Sequence, residues 1–188
     1  MLQMIREDTR LREYCHHEIS DAGVKVNVDE RLRADEYIGI KVDDCYAGLR
    51  GGMSPKSVDF IVVVDCECNS YVLYILELKG VKRPTSTKDI QEKFDTTINH
   101  FMSEEFAAIF LNDRFRYKDI KLYLVTTAYA KAVKMGSFER FLAVRDKTNR
   151  KDSLLYDSSL SDKSYRFRGK ICRIQREVPP NPLIRKIT

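Results

Sequence analysis

Ser57-Val58-Asp59-Phe60-Ile61-Val62-Val63-Val64 and Tyr71-Val72-Leu73-Tyr74-Ile75-Leu76-Glu77-Leu78-Lys79-Gly80 are the two most apolar runs of the chain, separated by the polar Asp65, Glu67, Asn69 and Ser70. Runs rich in β-branched and aromatic residues, bounded by turn formers, specify strands, so this stretch reads as a β-hairpin. With residues 66–70 as the loop, Asp65 pairs with Tyr71. Each step back along the first arm then matches one step forward along the second, which sets Asp59 opposite Glu77. Period two puts Glu77 and Lys79 on one face of their strand. Facing residues of an antiparallel pair have Cβ atoms about 4.5–5.5 Å apart, so two carboxylates are held side by side at the end of a buried hairpin.

The flanks supply the rest of an α/β fold. Residues 3–20 carry Met4, Ile5, Leu11, Tyr14, Cys15 and Ile19 among charges, and Asp21-Ala22-Gly23 can stop a helix there. Residues 37–42 read as a strand, followed by a loop marked by Gly48, Gly51, Gly52 and Pro55. After Thr85-Ser86-Thr87, with Ser86 or Thr87 as N-cap, the helical spacing of Ile90, Phe94, Ile98, Phe101, Phe106, Ile109 and Phe110 predicts a long helix ending near Asn112. Residues 120–128 read as another strand. The order is helix, three strands, helix, strand over residues 1–130, and residues 131–188 form a basic C-terminal extension of the same domain. Within it, residues 138–144 suggest a short helix and residues 165–174 an exposed strand.

Composition narrows the function classes. The chain has 188 residues, 43% hydrophobic and 32% charged, which fits one folded domain and excludes a disordered chain. No stretch approaches the roughly 20 apolar residues that cross a bilayer. Arg6, Glu7, Asp8 and Arg10 stand where a secretory signal needs an apolar run, so no membrane partner and a cytoplasmic location are expected. Five cysteines without paired C-x-x-C clusters argue against a disulfide framework and a structural zinc site. The adjacent His16 and His17 point apart on a helix and do not share a metal there. Residues 147–188 hold 11 Lys and Arg against four acids, whereas residues 1–146 hold 22 against 24. Such asymmetry suits either a polyanion partner or a solvated basic tail.

The chemistry centres on Asp59, Glu77 and Lys79. Charged groups rarely enter strands this apolar without partners. Two adjacent carboxylates repel, and a cation relieves them. All-oxygen ligation with room for water suits Mg²⁺ or Mn²⁺, with Asp59 and Glu77 as ligands and Lys79 placed to contact a phosphate or an attacking water. The alternative is a structural salt bridge at the strand ends.

Asp59 followed by Glu77-Leu78-Lys79 in this element order resembles the PD-(D/E)xK phosphodiesterases, the restriction-endonuclease-like nucleases, whose signature is an Asp on one strand and Glu-x-Lys on the next inside an αβββαβ core. The resemblance spans roughly residues 3–128, with Pro55-Lys56-Ser57-Val58-Asp59 in place of a Pro-Asp pair. It implies a mixed sheet flanked by helices and a Mg²⁺- or Mn²⁺-dependent endonuclease acting on DNA. It implies Asp59, Glu77 and Lys79 as catalytic residues. An accessory acidic residue on the first helix (Glu7, Glu13 or Glu18) and Gln91 on the helix after Glu-x-Lys match positions used by some relatives. Lys82 and Arg83, leaving the site strand, and Arg166, Arg168, Arg173 and Arg176 are candidate DNA contacts. A small type II restriction endonuclease working as a homodimer is the expected subtype. A Holliday-junction-type nuclease and a non-cleaving nucleic-acid-binding protein are the alternatives.

Overall fold

The apolar hairpin forms in the expected register. In the computed structural model, which describes residues 1–50, 55–80, 86–127 and 159–187, its arms pair antiparallel from Asp65↔Tyr71 to Phe60↔Leu76. Around it the chain runs α1 (Leu2–Glu7), a 3-10 turn (Arg12–Tyr14), β1 (Cys15–His16), β2 (Ile19–Asp21), β3 (Val24–Val26), β4 (Tyr37–Lys41) and α2 (Val42–Arg50). The hairpin itself is β5 (Phe60–Asp65) and β6 (Ser70–Lys79). Then come α3 (Thr87–Thr96), a π-helical stretch (Thr97–Glu105), α4 (Ala107–Phe110), β7 (Arg116–Thr126), α5 (Ser159–Asp162), β8 (Ser164–Phe167) and β9 (Lys170–Glu177).

Seven strands form one mixed sheet in the order β1-β4-β5-β6-β7-β9-β8, and β2-β3 form a separate hairpin. The sheet is antiparallel from β1 through β6, parallel from β6 to β7 and from β7 to β9, and antiparallel again at β8. The fold is therefore mixed α/β. Tyr71 to Leu78 of β6 are all buried, because both faces of this central strand are covered, and this explains the unbroken apolar run.

The two faces are covered differently. On one, helical residues Ile5, Tyr46, Phe94, Phe101 and Phe110 pack on Ile61, Val63, Leu73 and Ile75. On the other, among the described residues, the cover is not helical. There Ile19, Val24 and Val26 of the β2–β3 hairpin and Ile184 of the C-terminal segment pack on Phe60, Tyr74 and Leu76. The expectation of a sheet flanked by helices is corrected to that extent.

Three local expectations change as well. The helix expected over residues 3–20 ends at Glu7, since the Asp8 carboxylate accepts the Arg10 N–H at 2.8 Å and turns the chain away. Its apolar residues also skip from Ile5 to Leu11, too wide for one helical face. The loop expected after β4 begins instead with α2, which buries Val42, Cys45 and Tyr46 at helical spacing behind an acidic first turn of Asp43 and Asp44. The single exposed strand expected over residues 165–174 is the β8–β9 hairpin, turning at Arg168 and Gly169 with φ of 49° and 75°. Its Tyr165, Phe167, Cys172 and Ile174 are buried. The short helix expected at residues 138–144 lies outside the described residues. Among the described residues no helix is long and apolar enough to cross a membrane.

The long helix begins where expected but does not run unbroken to Asn112: α3 passes into the π-helical stretch at Thr97, and Phe106, with φ −118° and ψ 31°, interrupts it before α4. Ser86 caps α3 in a capping box, its hydroxyl accepting the Asp89 N–H at 3.0 Å. At the far end of β6, Gly80 passes the β2–β3 turn so closely that a Cβ there would lie 2.6 Å from the Ala22 carbonyl oxygen. A backbone oxygen cannot step aside as a rotamer can. Gly80→Ala is therefore expected to lower stability by about 1–3 kcal/mol in urea unfolding. A change within measurement error would show that the turn yields freely.

Candidate active site

One step beyond the last ladder pair, Asp59 comes opposite Glu77, as the register requires. Both are buried, Asp59 at 3% exposure and Glu77 at 0%. At Asp59 the first arm leaves the β6 ladder, and its side chain replaces the missing backbone acceptor. The Leu78 N–H donates to Asp59 Oδ2 at 2.6 Å, while the Val42 N–H donates to the Asp59 carbonyl at 2.9 Å. The carboxyl is thus fixed by the sheet itself.

Two ammonium groups converge on the pair. Lys79 Nζ lies 2.6 Å and Lys93 Nζ 2.7 Å from Glu77 Oε1, and Lys93 Nζ is also 4.0 Å from Asp59 Oδ1. Lys93 is the site residue that the sequence reading missed. A helical-wheel signal was present, because Lys93 falls on the stripe of Ile90, Phe94 and Thr97 at i, i+3, i+4 and i+7 spacing. The stripe is clamped to the approach to Asp59. Thr97 Oγ1 donates to the Lys93 carbonyl at 2.8 Å and accepts the Val58 N–H at 3.1 Å. Lys56 adds an exposed tether to Asp89 and Glu92 at 2.6 and 3.0 Å.

The electrostatics follow from burial and crowding. Burial and then the neighbouring Glu77 charge raise the Asp59 pKa. Lys93, the Leu78 N–H and Lys79 oppose them, and the outcome is about 7 against an ordinary 3.8. Burial works to lower the Lys79 pKa, but the Glu77 carboxylate outweighs it and holds the group above its ordinary value. Lys79 is therefore an ammonium at neutral pH.

The donor set fits a hard divalent cation. It offers two adjacent carboxylates, and Glu77 Oε2 is buried without a hydrogen-bond partner among the described residues. Among the described residues no group of three or more His, Cys, Asp and Glu side chains gathers.

The other candidate residues are dispersed. Glu7 and Glu13 are exposed; Glu7 accepts from Gln3 at 2.8 Å. Glu18, on no helix, pairs with Lys25 at 3.4 Å beside the β2–β3 hairpin. Gln91 receives the Tyr165 hydroxyl on its backbone carbonyl at 3.4 Å, and it is Lys93, two residues on, that reaches the carboxylates. Lys82 and Arg83 lie outside the described residues. A further buried lysine, Lys41, pairs with Asp21 and Asp43 over the Phe60 ring on the opposite face of the sheet.

The four arginines separate by face. Glu77 is in register with Leu124, and Leu124 with Arg176, so Arg176 lies in the same row and on the same face, two strands away. At the usual strand spacing that is roughly 10 Å. Arg166 and Arg173 lie on the opposite face from the buried Tyr165 and Cys172, and hence away from the carboxylates. Arg168 is internal wiring. Its guanidinium donates to the Leu111 carbonyl at 2.9 Å, Asp113 Oδ1 at 2.7 Å and the Phe115 carbonyl at 3.1 Å, closing the loop before β7. No family model, no curated protein and no solved structure matches this chain.

Two outcomes follow. Since Asp59 has a higher pKa folded than its ordinary 3.8, the metal-free folded state binds the proton more tightly than the unfolded chain does. Its stability therefore falls as pH rises between about 4 and 7. Asp59→Asn keeps an acceptor for the Leu78 N–H and is expected to remove about 2–4 kcal/mol of that fall, read by urea unfolding at the two ends of the window. Arg168→Ala is expected to cost about 1.5–3 kcal/mol of stability, again by urea unfolding, while leaving any nucleic-acid affinity intact. Lost affinity with intact stability would make Arg168 a contact residue.

Proposed function

We propose that this chain is a metal-dependent endonuclease that hydrolyses DNA phosphodiester bonds, with Asp59 and Glu77 holding Mg²⁺ or Mn²⁺ and Lys79 beside them. The observation that carries this reading is the buried Asp59–Glu77 pair, which has an unpartnered carboxylate oxygen and an ammonium from the same strand face. Buried titratable groups with shifted pKa values and specific charged neighbours mark functional sites. With β1–β3 set aside between α1 and β4, and α2 set aside between β4 and β5, the remaining α1, β4, β5, β6, α3 and β7 follow the αβββαβ order of restriction-endonuclease-like nucleases, which supports this reading.

When bound, the cation supplies a polarised phosphate oxygen and an ionisable water. The chain's own residues do the rest. Asp59 and Glu77 fix the position of the positive charge, since one is tied to the Leu78 N–H and the other is wholly buried. Lys79, held protonated, meets the charge that develops on the phosphate. Arg176, in the same row of the sheet, is the arginine this reading assigns to a neighbouring phosphate. A type II restriction endonuclease acting as a homodimer is the subtype we favour.

A second reading, a non-cleaving nucleic-acid-binding protein, is supported by the double use of the site groups. Asp59 completes the ladder at Leu78, and two lysines already neutralise Glu77. Plasmid cleavage in Mg²⁺, Mn²⁺ and EDTA separates the two. Metal-dependent cutting should fall at least roughly 10²-fold in both Glu77→Gln and Lys79→Met, with folding verified by circular dichroism. Binding without cutting, unchanged in both variants, would establish the second reading. Cutting confined to branched substrates would select the junction-specific alternative.

A further inference from the structure

Lys93 does more than neutralise a buried acid. Its Nζ reaches both carboxylates, at 2.7 Å from Glu77 Oε1 and 4.0 Å from Asp59 Oδ1, although Lys79 already bonds the same Glu77 oxygen at 2.6 Å. Two ammonium groups thus share Oε1 while Oε2 has no partner among the described residues. Lys79 belongs to the same strand as Glu77, whereas Lys93 comes from α3. It is carried on the turn whose Thr97 hydroxyl also receives the Val58 N–H, one residue before Asp59. The Lys93 side chain is 17% exposed, so its flexible stem has an outlet toward solvent that Glu77, at 0%, lacks.

We propose that Lys93 is a positioning residue that holds Asp59 and Glu77 together as a preformed cation site and sets its affinity, because the Lys93 ammonium must leave Glu77 Oε1 before a divalent ion can use both carboxylates. The inference rests on the reading of this pair as a metal site. Lys93 is then a competitor for the metal as well as a scaffold for it. The two roles have opposite signatures: loss of the scaffold weakens the metal-free fold, and loss of the competitor strengthens binding.

Calorimetric titration of the full chain with Mn²⁺, alongside thermal melting with and without Mn²⁺, tests this. Wild type is expected to bind at a site that Glu77→Gln abolishes. Lys93→Met, close in length and uncharged, should melt lower without metal, bind Mn²⁺ at least about tenfold tighter, and gain more in Tm from Mn²⁺ than wild type does. Lys93→Arg keeps the charge and can fork onto the same oxygens, so it should bind no tighter than wild type. A purely structural lysine would lower the metal-free Tm and leave affinity unchanged. Equal or weaker binding by Lys93→Met, with Glu77→Gln still abolishing it, overturns the inference and spares the metal site. Tighter binding by Lys93→Arg also overturns it, and decides the matter if Lys93→Met does not fold. Absence of Glu77-dependent binding in wild type and both lysine variants overturns the metal reading and the inference together.

Discussion

Two carboxylates buried side by side cannot both keep their charge without nearby cations, and the architecture around β6 meets that constraint. Asp59 and Glu77 are brought together by the hairpin register, which is fixed because both faces of the hairpin are buried and a one-residue slip would turn Glu77 into the apolar layer beneath the β2–β3 hairpin. The cations come from two sources. Lys79 follows Glu77 by one strand period, and Lys93 is delivered by the crossover helix between β6 and β7. The parallel β6–β7 connection matters here because only a crossover of that length can lay a helix across the end of the hairpin.

The position of the site follows from the same topology. β6 is antiparallel to β5 and parallel to β7, so its carboxyl end, where Glu77 and Lys79 lie, borders the change in strand direction. Open α/β sheets place ligands outside the carboxyl ends of their strands. The row Asp59, Glu77, Leu124, Arg176 runs from the residue before β5 across β6, β7 and β9 on the helix-bearing face and puts two acids and an arginine on either side of one apolar residue.

The hairpin register and the Asp59–Glu77 pairing were legible because the polar residues 65–70 between two apolar arms bounded the loop, and the loop taken over 66–70 fixes every later pair. Ser86, one of the two N-cap candidates, was legible from local chemistry, although its capping box with Asp89 was not read. What escaped the sequence depended on tertiary contact. Residues 8–20 lose helix to an Asx turn at Asp8 and to pairing of Cys15 and His16 with β4. Val42 to Tyr46 offered a helical stripe, but one shorter than the glycine-marked loop signal that followed. Lys93 was hidden because a lysine beside an apolar stripe is ordinarily solvated, and only a buried carboxylate opposite gives it a role. Arg168-Gly169 was read as strand because Tyr165, Phe167 and Ile171 alternate with Arg166, Arg168 and Lys170 across it, yet Arg168 turns at positive φ. Here hydrogen bonds to Leu111, Asp113 and Phe115 hold it there.

The charge asymmetry of the chain has a structural explanation that weakens it as a sign of a nucleic-acid surface. Several C-terminal cations point back into the acidic N-terminal body. Lys163 pairs with Asp95, Arg168 with Asp113, and Lys186 with Glu36, while the Lys170 ammonium donates to the Lys118 carbonyl. The same segment also buries Ile174 and Ile184, one on each face of the sheet, so it is built into the fold on both sides. Exposed pairs of this kind contribute little stability one at a time, but each orients the segment that carries it. The backbone ladder of β7 with β9 sets the register that aligns Arg176 with Leu124 and Glu77, and the Arg168 and Lys163 pairs tie the hairpin to its neighbours. Among the described residues of the basic segment, a count of positive charges therefore overstates what is left to face a polyanion.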